Sequence, residues 1–466
     1  MKVLVDVKPT PEQLKLFVPD PQTMIIKGAA GSGKTTTCLL RLRIVLGRMS
    51  GLKKRSGDST PVKAHVFTYN RTLMGYVNQL AESQRRHFAN ADVQISTFGE
   101  WAYRMLRVRN NQICEEWKEQ YLSAGFAKFP HDDAFLASEL EYVLGRFPHN
   151  QIHEYLDLER TGRGKAPRFD RAQREKFIKE IIEPYFAAKQ SNDELDFHDL
   201  AYAISNLPAP QKYDVIVIDE GQDFSANELR AVKNVLNEEH SLTIVIDSAQ
   251  KIYPKSFTWK EVGIRATPEN VFVLKENFRN TREIAAFIAP IIKGADLGGD
   301  FGALPAPENC TRSGPKPIVL EGLYNQQLDW AFKNIVSKID LQNESVAFLH
   351  PKGWFRDVKA RLNAESIQYV NLTKLKAWPD NNVNVGLITM HSSKGLEFDH
   401  VIIIGLNQSM TPHGKDDGDV FLDHYRRLIA MSCGRARDTL TVGYKPIEKS
   451  SLVDYFDPRT YSKVVL

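Results

Sequence analysis

TMIIKGAAGSGKTTTCLLRLRIVL, residues 23–46, decides how the rest of the chain is read. A short apolar run leads into GAAGSGKTT (28–36), and the helical pattern CLLRLRIVL follows. This strand–turn–helix setting is what a GxxxxGK[ST] stretch needs to act as a phosphate-binding loop. Gly28, Gly31 and Gly33, with Ala29, Ala30 and Ser32 between them, let backbone N–H groups close around phosphate oxygens at a helix N-terminus. Lys34 is expected to reach the β- and γ-phosphates and Thr35 to ligate Mg2+, with Thr36 beside it.

Such a loop needs a second carboxylate for the metal, at the end of another buried strand. YDVIVIDEGQDF (213–224) supplies one. Asp219 closes an apolar run and is expected to hold Mg2+ through water, while Glu220 orients and deprotonates the attacking water. The pair implies a nucleoside triphosphatase using ATP and Mg2+; it does not say what the energy is used for.

Further continuous apolar runs lie at AHVFTYN (64–70), SLTIVIDS (241–248), VGLITMH (385–391) and HVIIIG (400–405). They lack alternation, as strands buried on both faces of a parallel sheet do. Helical patterns such as LDWAFKNIVSKI (328–339) and WFRDVKARLNAE (354–365) separate them, which indicates an α/β protein. Residues 103–195 break the rhythm: they are helical, aromatic and charged, with no convincing buried strand. A Gly/Pro-rich stretch at 293–317 reads as a loop or linker.

The 42% hydrophobic and 25% charged content is that of an ordinary globular protein, and a net charge of +4 does not by itself establish a nucleic-acid partner. Cys38, Cys114, Cys310 and Cys433 have no CxxC spacing, against zinc and against a disulfide scaffold. MKVLVDVKPTPEQ lacks an apolar signal core and no run is long enough to span a bilayer, so a cytoplasmic protein with no membrane partner is expected.

DEGQD (219–223) resembles the second nucleotide motif of superfamily 1 helicases of the UvrD/Rep/PcrA type, and the other motifs of that family follow in its order. TPEQL (10–14) resembles the glutamine motif, with Gln13 set to read the adenine edge. FTYNRTL (67–73) and STFGEWA (96–102) resemble the first domain's strand-contacting segments, which implies roles for Asn70 and Phe98. IDSAQKIY (246–253) is similar to the third motif, with Gln250 as γ-phosphate sensor. LKENFRNTREI (274–284) is similar to the fourth, with Phe278 to stack on adenine and Arg279 aimed at the γ-phosphate. VGLITMHSSKGLEFDHVIIIG (385–405) matches the fifth, and RRLIAMSCGRAR (426–437) resembles the sixth, with Arg435 as a second arginine finger. Ile246 and Ser248 stand where the family usually has glycine and aspartate, and Ala430 and Gly434 where it has tyrosine and threonine.

HSSKGLEF (391–398), read alone, admits a serine nucleophile or a metal site, but neither finds its partners nearby in sequence. Within the resemblance, Gly395 and Glu397 lie on the nucleotide side, Glu397 bonding the ribose, and His391 and Ser393 face the nucleic acid. Single-strand motors also need aromatic faces for bases and cations for phosphates. IYPKSFTWKE (252–261) interleaves both, making Tyr253, Phe257 and Trp259 stacking candidates. The basic run LERTGRGKAPRFDRAQREKF (158–177) is a candidate phosphate contact.

The expected architecture is α/β, with two RecA-like P-loop NTPase lobes built on parallel sheets and a helical insertion in the first. Residues 1–102 and 196–281 form the ATP-binding lobe, 103–195 the helical subdomain and 282–466 the second lobe. The span from Ile284 to Val385 leaves no room for the large second-lobe insertion of bigger relatives. The resemblance implies an ATP-dependent DNA helicase stepping 3′ to 5′ on single strands or junctions in the cytoplasm, on the nucleoid; the compactness of the chain suggests a protein partner such as a nuclease. The competing readings are an RNA-directed motor of the same superfamily and an ATP-gated binding or regulatory component of a repair or defence complex that does not unwind alone.

Overall fold

The computed structural model describes residues 9–17, 22–28, 31–68, 90–109, 112–113, 118–158, 168–246, 257–295, 306–373, 383–414 and 419–466. Strands β1 (Thr23–Gly28), β2 (Val62–Phe67), β3 (Ala91–Ser96), β4 (Tyr213–Ile218), β5 (Leu236–Ile246) and β6 (Val271–Leu274) form a parallel six-stranded sheet ordered β3-β2-β4-β5-β1-β6. Successive residues feed opposite faces. Ile25, Ile216, Ile218, Ile244 and Ile246 meet the helices Phe98–Leu106, Phe197–Ser205 and Ala226–Asn234 on one side. Met24, Ile26, Val215, Val217 and Val245 meet the long helix Lys34–Ser56 through Leu39, Leu42 and Leu46 on the other. Burial on both faces is why these strands lack polar alternation.

Between Phe98 and Ser205 the described regular elements are helices, joined by turns, apart from one parallel bridge, Ile113 to Leu195. Phe135, Leu140, Phe177, Ile181 and Tyr185 give this region its own core. It is clamped to the first lobe at the end of the helix Asp133–Arg146. Arg146 grips Glu261 with two N–H groups, each at 2.9 Å, and the Asn227 amide donates to the Leu144 and Phe147 carbonyls, both at 2.9 Å. A fork-shaped pair of this kind fixes orientation as well as distance.

The chain then crosses through β7 (Asn277–Thr281), which pairs in parallel with β8 (Cys310–Arg312). Seven parallel strands make the second sheet: β9 (Ile318–Glu321), β10 (Val346–His350), β11 (Val370–Asn371), β12 (Val385–Thr389), β13 (Phe398–Leu406), β14 (Ala436–Tyr444) and β15 (Ser462–Val465), ordered β11-β12-β10-β13-β14-β9-β15. The helices Arg282–Ile292 and Val420–Cys433 cover one face, and Tyr324–Asn334 and Arg356–Ala364 the other. The chain is thus the expected pair of RecA-like α/β lobes. Among the described residues no helix is long and apolar enough to cross a membrane.

Candidate functional site

The phosphate loop leaves β1 at Gly28 and enters the helix Lys34–Ser56 through Gly33, whose left-handed φ of 74° needs no Cβ and leaves the helix N-terminus without a side-chain cap. Uncapped N–H groups at a helix start are ready donors for an anion. Lys34 folds back, its Nζ donating to the Gly28 carbonyl at 3.0 Å. Among the described residues the buried Ser32 hydroxyl has no hydrogen-bond partner, an orphan donor inside the loop that a phosphate oxygen would satisfy. Gly31 lies hard against β7: the Phe278 N–H donates to its carbonyl at 3.0 Å, and a Cβ at Gly31 would come within 2.7 Å of Arg279 Cβ. Gln13 props the loop from below, its amide donating to Thr37 Oγ1 at 2.9 Å and to the Gly33 carbonyl at 3.3 Å. Gln13 is itself held in a capping box with Thr10. The donor set fits a nucleoside triphosphate.

Asp219 and Glu220 follow β4, separated from the phosphate-loop strand by β5 alone. Glu220 is left-handed at φ 58°, a conformation that is strained for a residue with a Cβ and that places its side chain at the cleft. Gln222 donates to Glu220 Oε2 at 2.5 Å. From the second lobe, Lys394 reaches the same oxygen at 3.5 Å and forms an ion pair with the buried Asp223. Burial pushes the Glu220 carboxyl up, but Lys394, Lys34 and Arg435 with the Gln222 amide outweigh it and hold the group below its ordinary value. It is therefore ionised at neutral pH, the state in which a carboxylate can accept a proton.

Arg435, 1% exposed, is fixed by the Met431 carbonyl at 3.0 Å and the Leu396 carbonyl at 3.2 Å. Arg279 forms an ion pair with Glu397 across the cleft mouth. Burial raises the Glu397 carboxyl, and Arg279, Arg437 and Arg435 more than offset it, so Glu397 is ionised too. Glu397 therefore holds an arginine here, where the sequence implied a ribose contact. Gly395 takes the left-handed φ of 80° that starts this turn, and Phe278 is half-buried beside the loop.

Four expected strand contacts, Phe257, Trp259, Phe98 and Ser393, are corrected by burial. Phe257 and Trp259 are 5% and 4% exposed, packed edge to face at 5.8 Å in the first-lobe core. Phe98 is buried among Phe67, Trp101 and Phe224. The Ser393 hydroxyl is fully buried and donates to the Met390 carbonyl at 2.7 Å, so it turns inward. His391 stacks on His424 at 5.7 Å. In the basic run, Arg174 donates to the Leu158 and Tyr155 carbonyls at 2.7 and 3.1 Å, a folding role. Ala29, Ala30, Asn70, Gln250 and Tyr253, and the Thr35 side chain, lie outside the described residues. Sequence reasoning missed Lys394 and Asp223 as partners; they meet across 171 residues, which no local pattern encodes.

Two lobes of this topology, with a phosphate loop on one and cations supplied by the other, match what sequence comparison finds. Residues 9–260 match the UvrD/REP helicase N-terminal domain family, and residues 355–446 the UvrD-like helicase C-terminal domain family. The chain belongs to the UvrD/REP helicase family. ATP-dependent DNA helicase UvrD2 of Mycobacterium tuberculosis is 26% identical over 304 residues, 58% of this chain and 41% of that protein. Exonuclease/helicase subunit RexA of Lactococcus lactis subsp. cremoris is 31% identical over 136 residues, 26% of this chain and 11% of that protein. ATP-dependent DNA helicase Rep of Buchnera aphidicola is 42% identical over 66 residues, 14% of this chain and 10% of that protein. The chain thus spans well under two thirds of the length of these relatives.

One departure from the family pattern has a physical account. A Cβ at Gly221 would lie 2.6 Å from Ile244 Cγ2 and 3.2 Å from Ile246 Cγ2. Ile246, standing where the family usually has glycine, fills space that the glycine at 221 leaves, and so braces the Glu220 turn.

Proposed function

We propose that this chain is an ATP-dependent single-stranded DNA translocase and helicase, moving 3′ to 5′ and acting on single strands or junctions in the cytoplasm, on the nucleoid. The observation that carries the reading is the convergence on Glu220 of Lys34 from the first lobe with Lys394 and Arg435 from the second. Phosphoryl transfer spreads charge over equatorial oxygens, and cations delivered by a second lobe stabilise it only when the cleft is closed. Hydrolysis is in this way tied to the relative position of the lobes.

Lys34 and the open N–H groups of the phosphate loop bind and orient the triphosphate. Glu220 takes the proton of the attacking water. Arg435 and Arg279 offset developing charge, Arg279 exchanging Glu397 for phosphate oxygens. Thr35 and, through water, Asp219 would hold Mg2+, which would supply positive charge to offset that of the triphosphate. Lys394 joins the HSSKGLEF turn to Glu220, so opening of the cleft moves that turn relative to the first lobe.

A second reading is a motor component working with a nuclease. It is favoured by the similarity to a relative named exonuclease/helicase subunit RexA. Strand separation assayed on 3′-tailed, 5′-tailed and forked DNA duplexes distinguishes the two. Unwinding of 3′-tailed and forked substrates with none on 5′-tailed DNA is expected; the reverse preference would refute the direction. Strand-dependent hydrolysis without unwinding would favour the second reading.

A further inference from the structure

HPKGWFR, residues 350–356, carries an indole ring that the fold leaves in solvent. Trp354 is 59% exposed, while Trp101 and Trp259 are buried. Leaving so large an apolar ring in water is unfavourable unless something covers it in use. The loop that bears it is built rigidly. His350 ends β10, and its Nδ1 accepts N–H groups from both Lys352 at 3.0 Å and Trp354 at 3.3 Å. Accepting twice at Nδ1 requires that nitrogen to be unprotonated, and burial together with Lys352 pushes the imidazole down to about 4. The His350 ring lies nearly parallel to the indole at 6.0 Å and backs it. Gly353, at φ 72°, presses on β12, where a Cβ would lie 2.9 Å from Thr389 Cγ2.

These contacts pin the loop beside HSSKGLEF. β10 and β12 are parallel neighbours with His350 opposite Thr389, and the Met390 N–H donates to the His350 carbonyl at 3.1 Å. The ring therefore stands at the carboxyl edge of the second sheet, the edge where open α/β sheets bind ligands. Its surroundings are cationic. Lys352 Nζ is 5.4 Å from the ring centroid and tethered to the Ser409 carbonyl at 3.1 Å, and Arg356 is almost wholly exposed, with Asp357 as its neighbouring acid. An exposed rigid aromatic flanked by cations is the arrangement that binds single strands without regard to sequence.

We propose that Trp354, with Lys352 beside it, is a base-stacking platform for single-stranded nucleic acid on the second lobe. The proposal rests on the reading of this chain as a single-strand motor and names the place where the second lobe grips. It also supplies the aromatic contact that Phe98, Phe257 and Trp259, being buried, do not offer.

The test is binding of a fluorescently labelled oligothymidylate to the intact chain, followed by anisotropy, for wild type, Trp354→Ala and Trp354→Phe. The expected result is affinity reduced roughly tenfold in Trp354→Ala and largely restored in Trp354→Phe, with both variants melting at the wild-type temperature. Wild-type affinity in Trp354→Ala overturns the proposal alone and would leave the ring as a face for a protein. A wild-type chain that does not bind the oligonucleotide overturns the single-strand motor reading, and the platform with it.

Discussion

Glu220→Gln is expected to lower ATP turnover by about 10²–10⁴-fold while ATP stays bound. The amide is nearly isosteric with the carboxylate, keeps a partner for the Gln222 amide and does not disturb the left-handed backbone at φ 58°. What it removes is the negative charge that Lys394, Lys34 and Arg435 keep ionised inside a buried site. Without it the attacking water keeps its proton, and the phosphate loop still has every donor it uses to hold the nucleotide. Equilibrium binding of a labelled ATP analogue beside steady-state phosphate release checks both halves. Near-normal turnover would remove Glu220 from the role of base.

Arg435→Ala is expected to cut turnover further, by about 10³–10⁵-fold, the range an arginine finger contributes. Arg435 comes from the turn after the helix Val420–Cys433, and two backbone carbonyls fix its guanidinium. Those same bonds mean that alanine also leaves the Met431 and Leu396 carbonyls unpaired, so the melting temperature falls as well. Arg435→Lys separates the effects. It keeps a cation but not the planar fork, so most of the rate defect should remain while stability largely returns. A lysine variant turning over like wild type would reduce Arg435 to a structural cation.

What the sequence revealed follows from where residues are buried. β1, β4, β12 and β13 were legible because burial on both faces leaves continuous apolar runs that only a parallel sheet explains. β3, ADVQIS, was not, because an edge strand with one wet side carries aspartate and glutamine in its middle. β5 begins at Leu236, five residues before the apolar run, since Leu236 pairs with Tyr213 and the polar NEEH then bulges from the register before pairing resumes at Ser241. The phosphate loop and the carboxylates after β4 were legible because their chemistry is local in sequence. The aromatic loop around Trp259 was misread for the opposite reason. Aromatics alternating with lysines look alike whether the rings stack on bases or pack inward, and only the neighbouring Val262, Ile264 and Leu229 decide that they pack.

The Lys394 contacts show the limit most clearly. A lysine next to glycine in HSSKGLEF says that something anionic lies near; it does not say that the anions are Glu220 and Asp223 of the other lobe. That pairing turns two separately readable motifs into one device, and it is the physical core of the proposal that hydrolysis and strand grip are coupled.

The most direct measurement of that coupling is steady-state ATP turnover by the intact chain with and without saturating single-stranded oligothymidylate, wild type beside Lys34→Ala. Turnover that rises several-fold with the strand, and disappears in Lys34→Ala under both conditions, is the expected result. Turnover indifferent to the strand, or surviving loss of the Lys34 amine, would contradict the account.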